Sequence, residues 1–358
     1  MTFLRKIGLD VPIIQAPMAG VSTPALAAAV SNAGGLGSLA VGAVNAHRAR
    51  QMIAETRALT SRAFQVNVFV HPEPRANPTR EATWLDALKP QFQAFDAQPP
   101  EHLRTIYRGF DQDDDMLAAL IDEAPKVVSF HFGLPAQAKI DALKKAGCLL
   151  IATATNLAEA RLAEEAGIDG LVAQGYEAGG HRGMFDLSAE DEKLGTLALT
   201  RLLAAKSSLP VIAAGGIMDG AGMRAVLELG AAAAQLGTAF VTCPETSADD
   251  GYRAALTANE TPATVMTSII SGRPARCLVN RFTALAQTEL PPTPDYPIAY
   301  DAGKALNAAA KEAGEPGFGA QWAGQGVSLI RPMPAADLMA LLKKELEAHP
   351  AHDSGRWR

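Results

Sequence analysis

The sequence predicts an α/β fold, a (β/α)8 TIM barrel with insertions and a C-terminal segment that forms a second, lid-like lobe. First, short and almost continuously apolar runs alternate with amphipathic helical stretches, which is typical of parallel strands covered by helices. Second, eight such runs occur, which favours a barrel over an open doubly wound sheet. The predicted strands are Pro12–Ala16, Gly35–Leu39, Ala63–Phe69, Val127–Phe130, Leu149–Ala154, Gly170–Gln174, Val211–Ala213 and Ala233–Leu236.

Helices between these strands are marked by their end residues. A proline near the start of a stretch, or an N-capping side chain such as Asn156, indicates where a helix begins. A glycine after the last apolar position indicates where it ends. The helices bounded in this way are Pro24–Ala33, Pro135–Ala146, Asn156–Ala166 and Asp219–Leu229.

The 358 residues are more than the eight strand–helix units need. We therefore predict a barrel over residues 1–243, with an insertion at about 71–115. Residues 244–358 are predicted to form a lid or substrate lobe that packs on the barrel mouth. A stiff stretch, Pro291-Pro292-Thr293-Pro294, lies within this C-terminal segment.

Composition excludes several classes of protein. The net charge is -6 and no basic run occurs, which argues against nucleic-acid binding. The three cysteines have no metal-ligand spacing and are odd in number, so we predict neither a metal site nor a disulfide scaffold. Because free cysteines suit a reducing compartment, we predict a cytoplasmic location. Residues 11–46 carry no charge, but prolines and glycines interrupt them, so no membrane span is predicted. We expect a monomer or a homodimer.

Two glycine motifs late in the chain point to a phosphate. Val211–Ile217 is a strand that leads into the turn Gly215-Gly216, and Ala233–Thr238 is the next strand and its exit. In barrels the loops after the seventh and eighth strands often bind phosphate, because glycines let backbone N–H groups approach its oxygens. Either motif alone fits an ordinary tight turn, whereas both together, one unit apart, favour phosphate binding.

Other candidate residues follow strand ends, where barrel chemistry takes place. Gln15–Gly20 holds a fixed backbone that suits either a flat ring or a turn with a core methionine. Asn67 is an amide in an apolar run, with backbone groups or a polyol chain as its possible partners. The loop Gln174–Gly183 has four glycines and suits a ligand, while His131 and His181 are candidates for polar chemistry.

A family resemblance joins these motifs. The segments QAPMAGVSTPALAAAVSNAGGLG, VNVFVH, SFHFGLP, QGYEAGGHRG, AAGGI and QLGT occur in this order. The chain thereby resembles the class I nitronate monooxygenases, formerly called 2-nitropropane dioxygenases, from about Leu9 to Phe282 and more weakly beyond. Other flavin barrels share the phosphate motifs, but the combination of QGYEAGGHRG, SFHFGLP and VNVFVH is more specific.

The resemblance implies an FMN-dependent detoxifying enzyme. It implies oxidation of alkyl nitronates, with propionate 3-nitronate as the natural substrate, by O2 to a carbonyl compound and nitrite or nitrate. The reaction passes through a flavin semiquinone and consumes no NAD(P)H.

The resemblance also assigns residues. Pro17, Met18 and Ala19 line the isoalloxazine, and Asn67 and Gln174 bond the ribityl chain or the ring. The phosphate end and its surroundings are held by Gly179, Gly180, Gly215, Gly216, Gln235, Leu236, Gly237 and Thr238. The residues assigned to the reacting end are His131 at the flavin edge, His181 beside the substrate, and Tyr107, Tyr252, Tyr296, Tyr300 and Lys304 in the pocket.

Alternatives remain at this point. The same barrel serves NAD(P)H:quinone and enoyl-thioester reductases that use FMN. A second alternative lies outside flavin catalysis and is a barrel isomerase or lyase that acts on a phosphorylated metabolite. A third is a ligand-binding or storage protein that merely retains FMN. Four of the five tyrosines, Tyr107, Tyr252, Tyr296 and Tyr300, fall in the non-barrel additions or long connections, which predicts that they wall a pocket above the barrel.

Overall fold

The structure, a computed structural model that describes residues 3–258 and 263–348, contains a barrel of eight parallel strands. Its strands are β1 (Ile13–Gln15), β2 (Gly37–Ala40), β3 (Phe64–Phe69), β4 (Val127–His131), β5 (Leu149–Ala154), β6 (Gly170–Gln174), β8 (Val211–Ala214) and β9 (Ala233–Leu236). They pair in the order β1-β9-β8-β6-β5-β4-β3-β2. A parallel bridge between Ile14 and Leu36 closes β1 against β2, so the predicted (β/α)8 barrel is confirmed.

Helices follow the strands on the outside of the barrel and extend beyond it. Their bounds are α1 (Phe3–Ile7), α2 (Pro24–Asn32), α3 (Ala46–Leu59), α4 (Pro78–Gln93), α5 (Asp114–Glu123), α6 (Gln137–Lys145), α7 (Leu157–Glu165), α8 (Thr196–Lys206), α9 (Gly220–Glu228), α10 (Thr238–Val241), α11 (Asp250–Leu256), α12 (Arg281–Ala284), α13 (Ile298–Glu312) and α14 (Ala335–Glu347). The helix starts predicted from capping residues agree with this, since Asn156 caps α7 and Asp219 caps α9.

The lower end of the barrel is filled with aliphatic side chains. Ile14, Ile151 and Ile212 come from three different strands and form one buried cluster with Leu36, just before β2, and Ile7 of α1. Because this end is packed solid, as barrel interiors are, space for a ligand remains at the other end, where the strands finish.

A second lobe stands above that open end. The insertion after β3 forms α4, whose Trp84, Leu88 and Phe92 are buried against Ala302 and Leu306 of α13. The insertion and the C-terminal segment therefore share one apolar core, although they are far apart in sequence.

The C-terminal segment also contributes to the barrel wall. Leu338 and Leu342 of α14 are buried in a cluster with Leu26 of α2 and Val226 of α9. These apolar faces of α2 and α9 would otherwise be exposed to water, and covering them is favourable. Residues 244–348 are thus divided between lobe and barrel wall, in contrast to the prediction that residues 244–358 form a lid; the rest of that segment lies outside the described residues.

Three short strands form a small antiparallel sheet in the order β10-β11-β7, which the sequence did not predict. They are β7 (Gly180–His181), β10 (Thr264–Thr267) and β11 (Ala275–Leu278). Ala275 pairs with His181, which ties the glycine loop after β6 to the C-terminal segment. Across residues 3–258 and 263–348, no helix combines the length and apolar character needed to cross a membrane.

Candidate functional site

A cavity of about 550 Å³ lies where the barrel mouth meets the second lobe. Residues from the strand ends, the glycine loop and α13 line it together. Of the residues predicted from the sequence, it is lined by Pro17, Met18, Ala19, Asn67, Tyr107, His131, Gln174, Gly179, Gly180, His181, Gly215, Gly216, Gln235, Gly237, Thr238, Tyr252, Tyr296, Tyr300 and Lys304. The four tyrosines thus lie around one pocket rather than scattered over the surface.

Leu236 is the exception among the predicted cofactor-binding residues. Successive side chains of a strand point to opposite faces, and Leu236 is buried among residues of α2, α9 and α14 outside the barrel. Its carbonyl oxygen accepts the N–H of Ala16 at 2.8 Å. The side chain of Leu236 therefore does not line the cavity, and only its backbone remains as a predicted contact of the cofactor.

Glycines form a narrow cradle at one end of the cavity. A Cβ atom on Gly179 would lie 2.6 Å from the nitrogen of Gly324, and one on Gly324 would lie 2.8 Å from the oxygen of Glu177. Gly215 has φ 124° and Gly216 has φ 68°, in the left-handed region that favours glycine. A side chain at Gly179 or Gly324 would have to move backbone, and one at Gly215 or Gly216 would be held in a strained conformation.

Gly324 was missed in the sequence, because its loop lies in the weaker part of the resemblance. The structure brings this loop against Thr238, whose Oγ1 accepts the N–H of Gly324 at 3.0 Å. The hydroxyl hydrogen of Thr238 remains available to an acceptor. A donor hydroxyl beside glycine backbone suits a phosphate.

The amide of Gln174 organises the glycine loop. Its Nε2 donates to the carbonyl of His181 at 2.9 Å, and its Oε1 accepts the N–H of Gly183 at 2.7 Å. Asn67 donates from Nδ2 to the carbonyl of Ser129 at 3.1 Å and to its hydroxyl at 3.0 Å. Gln174 therefore acts mainly on the loop, whereas the Oδ1 of Asn67 stays available as an acceptor.

Both ring nitrogens of His131 are engaged within the protein. Nε2 lies 3.1 Å from the carbonyl oxygen of His181, which can only accept, so Nε2 carries the proton. Nδ1 lies 3.0 Å from Oγ1 of Thr153 and accepts from that hydroxyl. This geometry makes His131 a positioning residue that holds the backbone of His181, rather than a direct donor to a ligand.

His181 offers a ring nitrogen to the cavity. Its Nε2 lies 2.9 Å from Oγ of Ser271, while no hydrogen bond to Nδ1 occurs among the residues the structure describes. The Ser271 hydroxyl also lies 3.2 Å from the carbonyl oxygen of Arg273. When it donates there, it accepts from Nε2 of His181 and Nδ1 is unprotonated; when it donates to Nε2, Nδ1 carries the proton. Burial lowers the pKa of His181 well below its usual value, and Arg273 lowers it further, so the ring is neutral at pH 7.

Aromatic rings wall the reacting end of the cavity. Phe132, which the sequence motif SFHFGLP contains but which we did not single out, has a centroid 5.6 Å from that of His181 and 5.5 Å from that of Tyr296. Its φ of 79° is rare for a bulky residue, and such strain costs of order 1–3 kcal/mol and is found mostly at functional sites. Trp322, also missed, lies 4.9 Å from His181.

Among the described residues, the reacting end of the cavity has one unpaired cation, Lys304, at an exposed position. The two nearby carboxylates are paired elsewhere, Asp249 with Lys311 and Asp301 with Arg104. Nζ of Lys304 lies 5.0 Å from the ring centre of Tyr107 and 5.4 Å from that of Tyr300. In the described ranges no carboxylate lies within ion-pair distance of Lys304. Burial raises the pKa of Tyr107 to about 12 and that of Tyr300 further, so both phenols are neutral donors at pH 7.

The buried histidines predict how stability depends on pH. Burial lowers the pKa of His131 to about 4 from about 6.5, with smaller effects from Arg273 and Arg182. A depressed histidine pKa means that the unfolded state binds more protons, so the stabilisation is present above about pH 6.5 and is lost as the pH falls towards 4. We expect the unfolding temperature to fall from pH 7 to pH 5, and to fall less steeply in His131→Gln.

Thermal unfolding followed by circular dichroism at pH 7, 6 and 5 tests this. His47 is exposed on α3, so His47→Gln serves as the control and is expected to keep the wild-type slope. A slope for His131→Gln equal to that of wild type would contradict the assignment.

Comparison with known proteins gives a consistent family. The model of the nitronate monooxygenase family matches residues 2–345. The chain is 60% identical over 345 residues to a nitronate monooxygenase of Paraburkholderia phytofirmans, covering 96% of this chain and 94% of that one. It is 54% identical to a nitronate monooxygenase of Pseudomonas aeruginosa, covering 96% and 98% of the two chains.

A solved structure agrees with this relationship. Nitroalkane oxidase from Streptomyces ansochromogenes is 41% identical, has a TM-score of 0.86 and covers 95% of this chain and 96% of its own. The similarity therefore extends over the barrel and over the second lobe.

Proposed function

Because the chain belongs to the nitronate monooxygenase family, we propose that it oxidises alkyl nitronates with O2, with FMN as cofactor and propionate 3-nitronate as its substrate. It is an oxidoreductase, and the family is flavin-dependent in general. The observation that supports the proposal most is one cavity that joins a glycine cradle to a chamber containing the Lys304 cation. A cradle of this kind suits a phosphate, and a cation without an ion-pair partner among the described residues suits an anion.

FMN fits the residues that are present. Gly179, Gly216, Gly324 and the Thr238 hydroxyl would hold its phosphate, because glycines let the backbone come close to phosphate oxygens and the Thr238 hydroxyl can donate to them. Met18, with the fixed backbone around it, would lie against the ring. When bound, FMN supplies one-electron transfer between the nitronate and oxygen.

The chain's own residues bind and orient the anion. The Lys304 ammonium suits the carboxylate of propionate 3-nitronate, because hydrogen bonds between charged groups are stronger than neutral ones. His181 is neutral and would donate from Nδ1 to the nitronate in one of its two tautomers, the one in which the Ser271 hydroxyl donates to Nε2 instead of to the carbonyl of Arg273. The rings of Phe132, Tyr296 and Trp322 exclude water from the reacting end.

Oxygen uptake tests the proposal and its products. Purified protein should show flavin absorbance and consume O2 on addition of propionate 3-nitronate without NADH. Atom balance requires two nitronates per O2 if nitrite is formed, and one per O2 if nitrate is formed. Flavin absorbance with no oxygen uptake would contradict the proposal and favour a protein that merely retains FMN.

The reductase alternative is tested in the same preparation. Anaerobic addition of NADH should leave the flavin oxidised if nitronates are the substrates. Rapid bleaching by NADH would instead favour a quinone or enoyl-thioester reductase. A protein that stays colourless after reconstitution with FMN would favour the isomerase or lyase.

Lys304→Met should raise the KM for propionate 3-nitronate about tenfold while leaving kcat within about twofold, since it removes a charged hydrogen-bond donor. Steady-state oxygen uptake measures both constants. Propyl 1-nitronate, which has no carboxylate, is expected to show a much smaller change in KM.

The control is Lys89→Met, on α4 of the same lobe. Lys89 is exposed and does not line the cavity, so this variant is expected to leave the KM for both substrates close to wild type. An equal rise in KM for the two nitronates in Lys304→Met would contradict carboxylate recognition by this residue.

A further inference from the structure

A second cation, Arg273, lies behind the aromatic wall that Phe132 contributes to the cavity. Arg273 is 1% exposed and stands just before β11, where its guanidinium donates to the carbonyl of Met184. The guanidinium carbon lies 4.1 Å from the ring centre of Phe132. The ring of Phe132, which lines the cavity, therefore contacts the guanidinium as well.

Arg273 has no ion-pair partner among the described residues. Its Nε is buried without any hydrogen bond, and the nearest acidic influence is Glu159, whose carboxylate accepts N–H groups of Thr155 and Phe185. Arg182 is equally buried but pairs with Asp191 through two bonds of 2.9 Å. An unpaired buried charge is costly, so a compensating negative charge is expected nearby.

The cavity is the place where that charge can sit. The ring centre of Phe132 lies 4.5 Å from that of His131, which lines the cavity, so the guanidinium lies within about 9 Å of this imidazole. At low dielectric the guanidinium would attract an anion bound beside His131. The left-handed backbone of Phe132 keeps its ring in this position despite the strain. The titratable or charged groups around Arg273 are His71, His131, His181, Tyr296, Glu159 and Arg182.

Burial lowers the pKa of Arg273 to about 10, so the guanidinium stays charged at neutral pH. The surrounding histidines have depressed pKa values and do not add charge there. Arg273 thus carries a permanent charge behind the ring of Phe132, in addition to the Lys304 ammonium of α13.

We propose that Arg273 determines specificity for charge: its guanidinium, acting through the ring of Phe132, makes the cavity prefer an anionic ligand to a neutral ligand of the same shape. The inference rests on the proposed function, because the anion that the cavity selects is taken to be the nitronate. It explains why a buried arginine is kept without a carboxylate, and why the chamber needs no charged histidine.

Propionate and propionamide test it, because they are nearly identical in shape and differ in charge. Calorimetric titration of the purified holoprotein at pH 7.5 gives both dissociation constants. In Arg273→Met we expect the propionate constant to rise about tenfold and the propionamide constant to stay within about twofold, as loss of one charge at this distance implies. Arg273→Lys keeps the charge and is expected to retain most of the preference.

Arg276→Met is the matched control. Arg276 is buried three residues further along the chain and donates to the carbonyl of Tyr176 at 3.0 and 2.8 Å, away from the ring of Phe132. It is expected to leave the ratio of the two constants unchanged. Equal weakening of propionate and propionamide in Arg273→Met would overturn the proposal, because it would mean that Arg273 only packs against Phe132.

A second comparison does not require an Arg273 variant to fold. In Lys304→Met, the remaining preference for propionate over propionamide should still be about tenfold, because Arg273 is retained. Complete loss of preference in that variant would overturn the proposal. Neither readout involves turnover, so failure of nitronate oxidation and failure of this inference are distinguishable.

Discussion

We expect Gly179→Ala to lower the affinity for FMN about 100-fold, or about 2.7 kcal/mol, which is within the usual cost of forcing an extra methyl group into a packed site. The new Cβ would lie 2.6 Å from the nitrogen of Gly324 and 2.7 Å from the carbonyl carbon of Ala323. Because both are backbone atoms, one wall of the cradle has to move. Fluorescence titration of the apoprotein with FMN measures the change.

Gly222→Ala is the control for this substitution. Gly222 lies in α9, and a Cβ there would meet its nearest neighbours at 3.5 Å, an ordinary contact. It is expected to bind FMN like wild type. Wild-type affinity in Gly179→Ala would show that the glycine cradle does not bind the phosphate.

His181→Ala is expected to lower kcat/KM for nitronates between about 10- and 100-fold, the value of a hydrogen bond to a charged group. Flavin content should stay the same, because Gln174 and His131 hold the carbonyl of His181 rather than its ring. The flavin spectrum and oxygen uptake together measure both effects. His47→Ala, an exposed histidine on α3, is the control with unchanged kcat/KM.

Ser271 gives a further check on the same hydrogen bond. Ser271→Ala removes the partner of Nε2 and should lower kcat/KM less than His181→Ala does. Ser271→Thr keeps the hydroxyl and should therefore have a kcat/KM close to that of wild type. Full activity in His181→Ala would contradict the role of the imidazole. Full activity in Ser271→Ala alone would show that the tautomer is set by other groups.

Much of the barrel was predictable because its determinants are local. The strands Leu149–Ala154, Gly170–Gln174 and Ala233–Leu236 have the predicted bounds, since apolar runs of this length lie between glycines and capping residues. His131 is the last residue of β4 rather than the one after it. A polar side chain such as imidazole indicates the end of an apolar run in the sequence, but the backbone of His131 still belongs to the strand.

The second lobe was only partly predictable. That additions lie over the mouth follows from their length and position, but the contact of α4 with α13 joins segments about 220 residues apart. The amphipathic pattern of a helix predicts that it has an apolar face, but it does not predict which other element packs against that face. The same limit explains why α14 was assigned to the lid although it packs on α2 and α9.

By itself, the sequence determined the barrel, the glycine turns and the identities of the polar residues at the strand ends, because turn conformation and strand periodicity depend on neighbouring residues. Only the tertiary structure decided that Gly324 completes the cradle, that Leu236 faces away from the cavity and that Arg273 lies unpaired behind Phe132. These features depend on which distant segments meet, and on the charge and space that remain where they do.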